Sequence, residues 1–149
     1  MSALQNQPIN TSFLSPIGFK FQLNNFPAVN YFCQSATLPG ISISSISVPT
    51  PLKAIDIAGD EVAFEELSIK FIVDENMKNW LSIYNWITRL GFATVDDQVE
   101  YKKLRDAGEL TTDATLTVLT GNMNPQINFR FHECFPLSLS SIAFDSGGT

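Results

Sequence analysis

Few side chains in this sequence could take part in acid–base or nucleophilic catalysis. His132 is the only histidine, and its place in an alternating, Phe-rich stretch directs it to the wetter face of a strand. No cysteine or serine stands at a familiar catalytic spacing from it. Glu65 and Glu66 point to opposite faces of a strand, whereas Asp96 and Asp97 are typical of a solvated surface. We therefore predict no catalytic residues and do not expect an enzyme.

Metal and cofactor sites are not indicated either. Asp74 and Glu75 lack the alternating oxygen ligands of a calcium loop, and helix capping explains them better. Cys33 and Cys134 have no zinc spacing and form no disulfide framework, so two buried free thiols are expected. The terminal "DSGGT" lacks the strand–loop–helix context that a phosphate-binding loop requires. We predict no metal and no cofactor.

The composition indicates one domain that either has little free surface or covers its surface with partners. The chain has 149 residues, of which 44% are hydrophobic and 16% charged, against about 25% charged in typical soluble domains. The net charge of −6 argues against non-specific binding to nucleic-acid phosphates or anionic lipid. No secretory signal or long apolar run is visible, so we expect no membrane anchor and production in the cytoplasm.

Hydrophobic periodicity predicts a mainly β domain. Apolar and polar residues alternate from Ile17 to Leu23, as in a half-buried strand. In "ISISSISV" the apolar spacing slips by one between Ile43 and Ile46, as a β-bulge or a bend requires. Further strands are predicted at residues 29–37, 67–73, 114–120, 127–135 and 137–144.

One amphipathic helix is predicted at about residues 75–90, packed on a sheet face. Asp74 is its expected N-cap and Gly91 its left-handed stop. Trp86 lies off the centre of the apolar stripe and is expected to meet a neighbouring element. The whole chain divides into a flexible arm at 1–16 and a single domain at 17–149. Within this domain, residues 93–113 are predicted to form a charged, exposed excursion with a short helical turn at Val99–Leu104.

The segment "VPTPLKAIDIAGD", residues 48–60, is too apolar for an ordinary solvated loop, and its prolines suit a sheet interior poorly. Prolines also limit the conformational entropy that a segment loses on docking. We interpret it as an arm buried against another subunit; an arm folded over its own sheet is the alternative. The predicted interface residues are Val48, Pro49, Pro51, Leu52, Ile55, Ile57, Gly59, Asp60 and Trp86.

Three stretches together resemble the tail-tube family of contractile-tailed bacteriophages. The first runs from "NYFCQSATLPGISISSISV" through the apolar arm and "AGDEVAFEELSIKFIVDE" to the helix. The second, "DATLTVLTGNMNPQINFRFHECFPLSLSSIAFD", is similar to the family's late hairpin and closing Phe-Asp. The third is the opening "FKFQLNNFPAVN". The order of the segments, rather than any single motif, carries the resemblance.

The resemblance implies a β-barrel or sandwich with one flanking helix, assembled into six-fold rings around a channel through which DNA passes without specific binding. It implies a long arm that reaches a neighbouring subunit or ring, and contacts with other tail proteins such as sheath, baseplate, neck or tape-measure proteins. Members occupy the tube itself, the initiator ring at the baseplate, or the terminator ring at the neck. Relatives extend past the closing Phe-Asp by a further strand or two, so either this chain is a truncated form or a neighbour supplies the missing strand.

The alternative function is a non-enzymatic β-sandwich module that binds carbohydrate or protein on a virion or cell surface. Such modules display a flat row of exposed aromatic side chains, whereas most Phe residues here fit alternating core positions. The resemblance therefore favours a structural virion protein of the tail.

Overall fold

The computed structural model describes residues 8–147. Residues 1–7 of the predicted arm, which spans 1–16, therefore lie outside the described residues. The secondary-structure elements are, in chain order, β1 (Phe19–Leu23), α1 (Pro27–Tyr31), β2 (Cys33–Thr37), β3 (Ile41–Val48), β4 (Ile55–Phe64), β5 (Ser68–Phe71), α2 (Lys78–Leu90), α3 (Val95–Ala107), β6 (Thr112–Leu119) and β7 (Pro125–Cys134).

The strands of the described chain form three antiparallel sheets. One sheet has the order β1-β6-β7, and the others are the pairs β2-β5 and β3-β4. In the first sheet Phe21 lies opposite Leu116 and Leu23 opposite Ala114. The predicted fold class, mainly β with a flanking amphipathic helix, is confirmed.

The core lies where this three-stranded sheet meets α1 and α2. Period-two alternation along β1 buries every second side chain, and the apolar stripe of α2 covers them. Trp86, Ile87 and Leu139 pack against the margin of this cluster. The buried apolar side chains are Phe21, Leu23, Val29, Ile83, Ala114 and Leu116.

The ends of α2 differ from the prediction. The helix begins at Lys78, and its N-cap is Met77, in a left-handed conformation and without a side-chain cap. Asp74 is not the cap; its Oδ1 is buried and has no hydrogen-bond partner within residues 8–147. Gly91 ends the helix with φ −89°, so the left-handed residue is Phe92 instead.

The strand predicted at 29–37 is confirmed over Cys33–Thr37, as β2, but not before it. Residues 27–31 form α1 because Pro27 suits the first helical turn and Val29 is drawn into the core. Residues 137–144 join no sheet within the described part of the chain. Leu139 instead packs against the core, and the Trp80 indole donates to the Ser140 carbonyl.

The charged excursion contains a complete helix, α3, rather than a single turn. Thr94 and Asp97 form a reciprocal capping box, and Gly108 ends the helix with φ 72°. Arg89 of α2 pairs with Glu100 of α3 at 2.8 Å. The periodicity at 93–113 is weak because no α3 residue is fully buried, so its sequence carries little hydrophobic stripe.

Candidate functional site

The segment between Gly40 and Glu65 forms a β-hairpin that projects from the domain. At its base, the Glu65 N–H donates to the Gly40 carbonyl at 3.0 Å, and the Gly40 N–H donates to the Glu65 carboxylate at 3.2 Å. All residues of β3 are exposed, and all of β4 except Gly59. The hairpin β3–β4 therefore lies outside the core that stabilises the rest of the subunit.

The predicted arm, residues 48–60, is the outer half of this hairpin. Val48 ends β3, residues 49–54 form the connection, and β4 begins at Ile55. Thr50 orders the connection, because its hydroxyl bonds the Lys53 carbonyl and also accepts from the Lys53 N–H at 3.3 Å. Both prolines fall in this connection, where neither interrupts the ladder. Leu52 is 99% exposed at the tip.

Apolar side chains face each other along the whole hairpin. In a core such cross-strand pairs would be covered, but here each side chain retains between 40% and 75% of its exposure. A two-stranded hairpin alone is marginally stable in water. The apolar pairs are, from base to tip, Ile41 with Phe64, Ile43 with Val62, Ile46 with Ile57 and Val48 with Ile55.

A β-bulge at Ser44 changes the face on which the apolar residues lie. Opposite Ser44, strand β4 has three residues, 59–61, instead of one. Along β3 the two apolar positions before the bulge are odd-numbered, and the two after it are even-numbered. Successive side chains of a strand point to opposite faces. The base and the tip of the hairpin therefore present their apolar residues on opposite faces.

Gly59 is required where the strands approach at the bulge. A Cβ atom at this position would lie 2.7 Å from the carbonyl oxygen of Ser44, which belongs to the backbone and has little freedom to move. We expect Gly59→Ala to open the hairpin around the bulge. Hydrogen exchange measured by mass spectrometry should then be faster across 41–48 and 55–64. Gly121→Ala is the matched control, because a Cβ there meets nothing within 4 Å; equal exchange in both variants would contradict this account.

The predicted interface residues thus divide into two groups. The structure brings eight of them, Val48 through Asp60, together on the hairpin. Trp86 lies on α2, where its ring stacks on Phe26 with centroids 4.9 Å apart and its Nε1–H donates to the Leu110 carbonyl at 3.0 Å. These contacts lie within the subunit, and a contact of Trp86 with another subunit stays a prediction.

Several hairpin residues were not in the predicted set. Ile41, Ile43 and Ile46 of β3 and Val62 and Phe64 of β4 are as exposed as the predicted residues. Their alternation in sequence is that of an ordinary half-buried strand. Only the slip in "ISISSISV" indicated that their surroundings are unusual.

The polar groups elsewhere offer little chemistry. His132 Nδ1 lies 3.2 Å from the Asp113 carboxylate, and both side chains are exposed. The Glu133 N–H and His132 lower the pKa of Asp113. Cys33 and Cys134 are half-buried free thiols, and burial raises the pKa of each.

Within residues 8–147, no cluster of three or more His, Cys, Asp or Glu is placed to hold a metal ion. No helix in that range is long and apolar enough to cross a membrane.

Comparison with known proteins gives two matches. The sequence model of a family described as "Phage tail tube protein" matches residues 4–149. The chain is also similar to the tail tube terminator protein of Enterobacteria phage T4, with 31% identity over 85 residues. That alignment covers 55% of this chain and 47% of the T4 protein, so the chain matches about half the length of this relative.

Proposed function

Because the chain belongs to the phage tail tube protein family, we propose that it forms six-fold rings in the tube of a bacteriophage tail or in an adjoining baseplate or neck ring. Such a ring surrounds the channel through which DNA passes. In this proposal the subunits assemble in the cytoplasm of the bacterial host and become part of the virion tail. The protein acts by assembly, and no substrate is turned over.

The exposed hairpin β3–β4 is the observation that carries this proposal. Burying one of its half-exposed apolar side chains contributes roughly 1 to 2 kcal/mol. An exposed apolar patch of this extent is typical of a protein–protein contact rather than of a solvated loop. The proposed contact residues on the hairpin are Val48, Pro49, Pro51, Leu52, Ile55, Ile57, Gly59 and Asp60.

The change of face at the bulge supports a hairpin that lies between two protein surfaces. A single flat partner would cover the apolar residues of the base or those of the tip, but not both. In a closed ring each subunit meets two neighbours, and a stacked ring adds a third surface. We propose that the base of the hairpin contacts one of these surfaces and the tip another.

The charge of the hairpin suits a channel that DNA must traverse without adhering. The hairpin carries the carboxylates of Asp56, Asp60 and Glu61 and the single cation Lys53, and with Glu65 and Glu66, which follow it, the net charge of residues 41–66 is −4 from the chain's total of −6. Like charge on the channel wall repels phosphates and prevents tight binding. We therefore propose that one edge of the hairpin faces the channel.

The T4 relative bears on the position of the ring in the tail. That protein is named a tail tube terminator, and the chain resembles it over 85 residues. This similarity supports a ring of the tube or the ring at its end. The two positions differ in one property, because a tube subunit stacks into long tubes whereas a terminal ring stays single.

Electron microscopy of the purified full chain tests the proposed function. Over a range of protein concentrations we expect six-fold rings in negative stain, and their class averages should show a central channel. Long tubes would assign the chain to the tube, and isolated rings to an adjoining ring. Monodisperse monomers at the highest concentration, confirmed by analytical ultracentrifugation, would overturn the proposal.

Reversing the charge of the hairpin should convert the assembled ring into a DNA-binding particle. We expect the Asp56→Lys, Asp60→Lys, Glu61→Lys variant to retain DNA at low salt and release it as salt rises, because phosphate contacts release counterions. Electrophoretic mobility shift with short duplex DNA measures this effect. Asp96→Lys, Asp106→Lys, Glu109→Lys, on and just after α3, is the control with an equal charge change, because all three residues are exposed; equal DNA binding by both variants would count against a hairpin at the channel.

A further inference from the structure

A groove runs between β1 and β2, the outer strands of two different sheets. Its volume is about 730 Å³. Because each strand pairs on one side only, each offers a second edge to a strand placed between them. Such a strand would join the β1-β6-β7 sheet to the β2-β5 sheet. The residues that line the groove include Phe19, Phe21, Tyr31, Cys33, Gln34 and Ala36.

The backbone of β1 shows where a strand is missing. The Asn24 N–H donates to the Asp113 carbonyl, and the Gly18 carbonyl accepts from Leu119, so the even-numbered residues of β1 bond β6. The odd-numbered residues then direct their N–H and C=O groups to the outer edge. At Leu23 the side-chain amide of Asn30 satisfies both groups. No described residue does so at Phe21.

The N-terminal arm has the composition of the missing strand. Residues 8–15 belong to no helix or strand, and the side chain of Phe13 is 99% exposed. Ile9, Thr11 and Phe13 are β-forming residues spaced by two, with the polar Asn10 and Ser12 between them. The stretch Ile9–Phe13 has five residues, as β1 does.

We propose that the segment Ile9–Phe13 of a second copy of this chain enters the groove as an added β-strand between β1 and β2. This inference rests on the proposed ring, in which every subunit gives its arm to one neighbour and receives an arm from the other. Backbone pairing at Phe21 supplies the hydrogen bonds, and the pattern of side chains supplies the orientation.

The two faces of the arm match the two faces of β1. Phe19, Phe21 and Leu23 of β1 face the core, whereas Lys20 and Gln22 face solvent. On an added strand, Ile9, Thr11 and Phe13 would lie on the core face, and Asn10 and Ser12 on the solvent face. The apolar side chains that the arm exposes would then be covered.

The turn between the arm and β1 favours a second copy over the chain's own arm. The Gly18 N–H donates to the Ser15 carbonyl at 3.2 Å, which closes a two-residue turn at Pro16 and Ile17. Hairpins with such short turns need positive φ at the first turn residue, and proline fixes φ near −65°. The chain's own arm is therefore poorly placed to pair with its own β1.

The link between the arm and β1 fixes how far away the neighbour's groove can lie. Once Ile9–Phe13 is paired in a groove, only Leu14 and Ser15 connect it to the turn at Pro16, and the step from Phe13 to Pro16 spans up to roughly 10 Å when extended. Because Pro16 borders the groove of its own subunit, passing the arm to one neighbour would bring successive grooves close together around the ring.

Thiol cross-linking on the full chain tests this exchange. Cys33 lines the groove, so Thr11→Cys with Cys134→Ser places one thiol on the arm and one in the groove. Unlabelled and ¹⁵N-labelled copies are mixed before assembly and treated with a short bis-maleimide. We expect peptides that join position 11 of one copy to Cys33 of a copy with the other label, at least tenfold above the level with Lys102→Cys, an exposed position on α3. Adding Cys33→Ser should abolish the cross-link.

The outcomes separate this inference from the proposed function. Six-fold rings, verified by microscopy of the same sample, without cross-links between differently labelled copies would overturn the arm exchange and leave the ring standing. Cross-links that join only equal labels would place the arm in its own groove and likewise overturn the exchange. If no ring forms, the proposed function fails and the exchange fails with it.

Discussion

Deletion of residues 50–58 is expected to yield a folded monomer that no longer assembles. The deleted residues form the tip of hairpin β3–β4, and every one of them is exposed. The deletion joins Pro49 to Gly59, a sequence that suits a tight turn. None of the six buried apolar residues of the core lies in or beside the removed segment. The deletion should therefore prevent assembly and leave the fold of the subunit intact.

The expected effect on assembly is large. Leu52, Ile55 and Ile57 disappear together, and each contributes roughly 1 to 2 kcal/mol when a neighbour buries it. A loss of about 3 to 6 kcal/mol per contact raises the dissociation constant of that contact by roughly two to four powers of ten. Sedimentation velocity measures the assembly, while circular dichroism and a cooperative thermal transition verify the fold. Rings that survive the deletion would show that the hairpin tip is not the contact.

Point variants separate the side chains of the tip from its backbone. Ile46→Ser, Ile55→Ser, Ile57→Ser keeps the length of the hairpin and removes three exposed apolar side chains of one face. We expect this variant to assemble as poorly as the deletion. Leu137→Ser is the control for a general loss of surface hydrophobicity, because Leu137 is exposed outside every sheet. An equal defect in the control would argue against a specific contact at the hairpin.

The elements that were predicted correctly are those whose sequence pattern matches their burial. Phe21 and Leu23 alternate with polar residues and are buried in β1. The stripe of α2 includes Ile83, which is buried against the sheet. In both elements the core dictates the spacing of apolar residues, so the spacing reveals the element.

Other elements differ because tertiary contacts override the local pattern. Residues 137–144 alternate like a strand, yet the packing of Leu139 and the Trp80 indole hold them outside any sheet of the described chain. The sequence pattern predicts Val29 in a strand, but Val29 lies in the helix α1, where it is completely buried. Helix α3 has the opposite property, because its capping box is visible in sequence while its hydrophobic stripe is weak.

The composition located the candidate site in the sequence, but it did not show on which face of the hairpin each apolar side chain lies. Pro49, Pro51 and the apolar residues around them distinguish the segment from a solvated loop. Its geometry depends on the pairing of Ser45 with Ala58 across the bulge. The slip between Ile43 and Ile46 indicated a bulge or a bend, but register is set by contacts between distant residues, so the sequence did not show which residues of β4 pair across it.

Asn79 is expected to be the most sensitive polar residue of the subunit, although its sequence context gave no indication of this. Its side chain is 0% exposed. The Asn79 amide donates to the Ile72 carbonyl at 2.7 Å, and its oxygen accepts from the N–H groups of Asp74 and Trp80 at 3.3 and 2.8 Å. This one side chain therefore ties the segment after β5 to the first turn of α2, a role that the sequence assigned to Asp74.

Asn79→Ala should lower the free energy of unfolding by about 2 to 4 kcal/mol, because it leaves the Ile72 carbonyl and neighbouring N–H groups without their partner in a buried place. Urea denaturation of the dissociated subunit measures the change. Asn85→Ala is the matched control, since Asn85 lies on the exposed side of the same helix; its effect should stay within about 0.5 kcal/mol. Equal loss in the two variants would contradict the role of Asn79.

Asn79→Asp separates the donor from the acceptor at the same position. The carboxylate keeps an oxygen for the two N–H groups, but its second oxygen would face the Ile72 carbonyl where the native amide donates. A protonated carboxyl can donate there, so we expect burial and this contact to raise its pKa in the folded state by more than the two N–H groups lower it. A raised pKa means that the folded state binds the proton more tightly, so the stability deficit relative to the native chain should shrink as pH falls from about 7 to 5. A deficit independent of pH would show that the loss comes from packing alone.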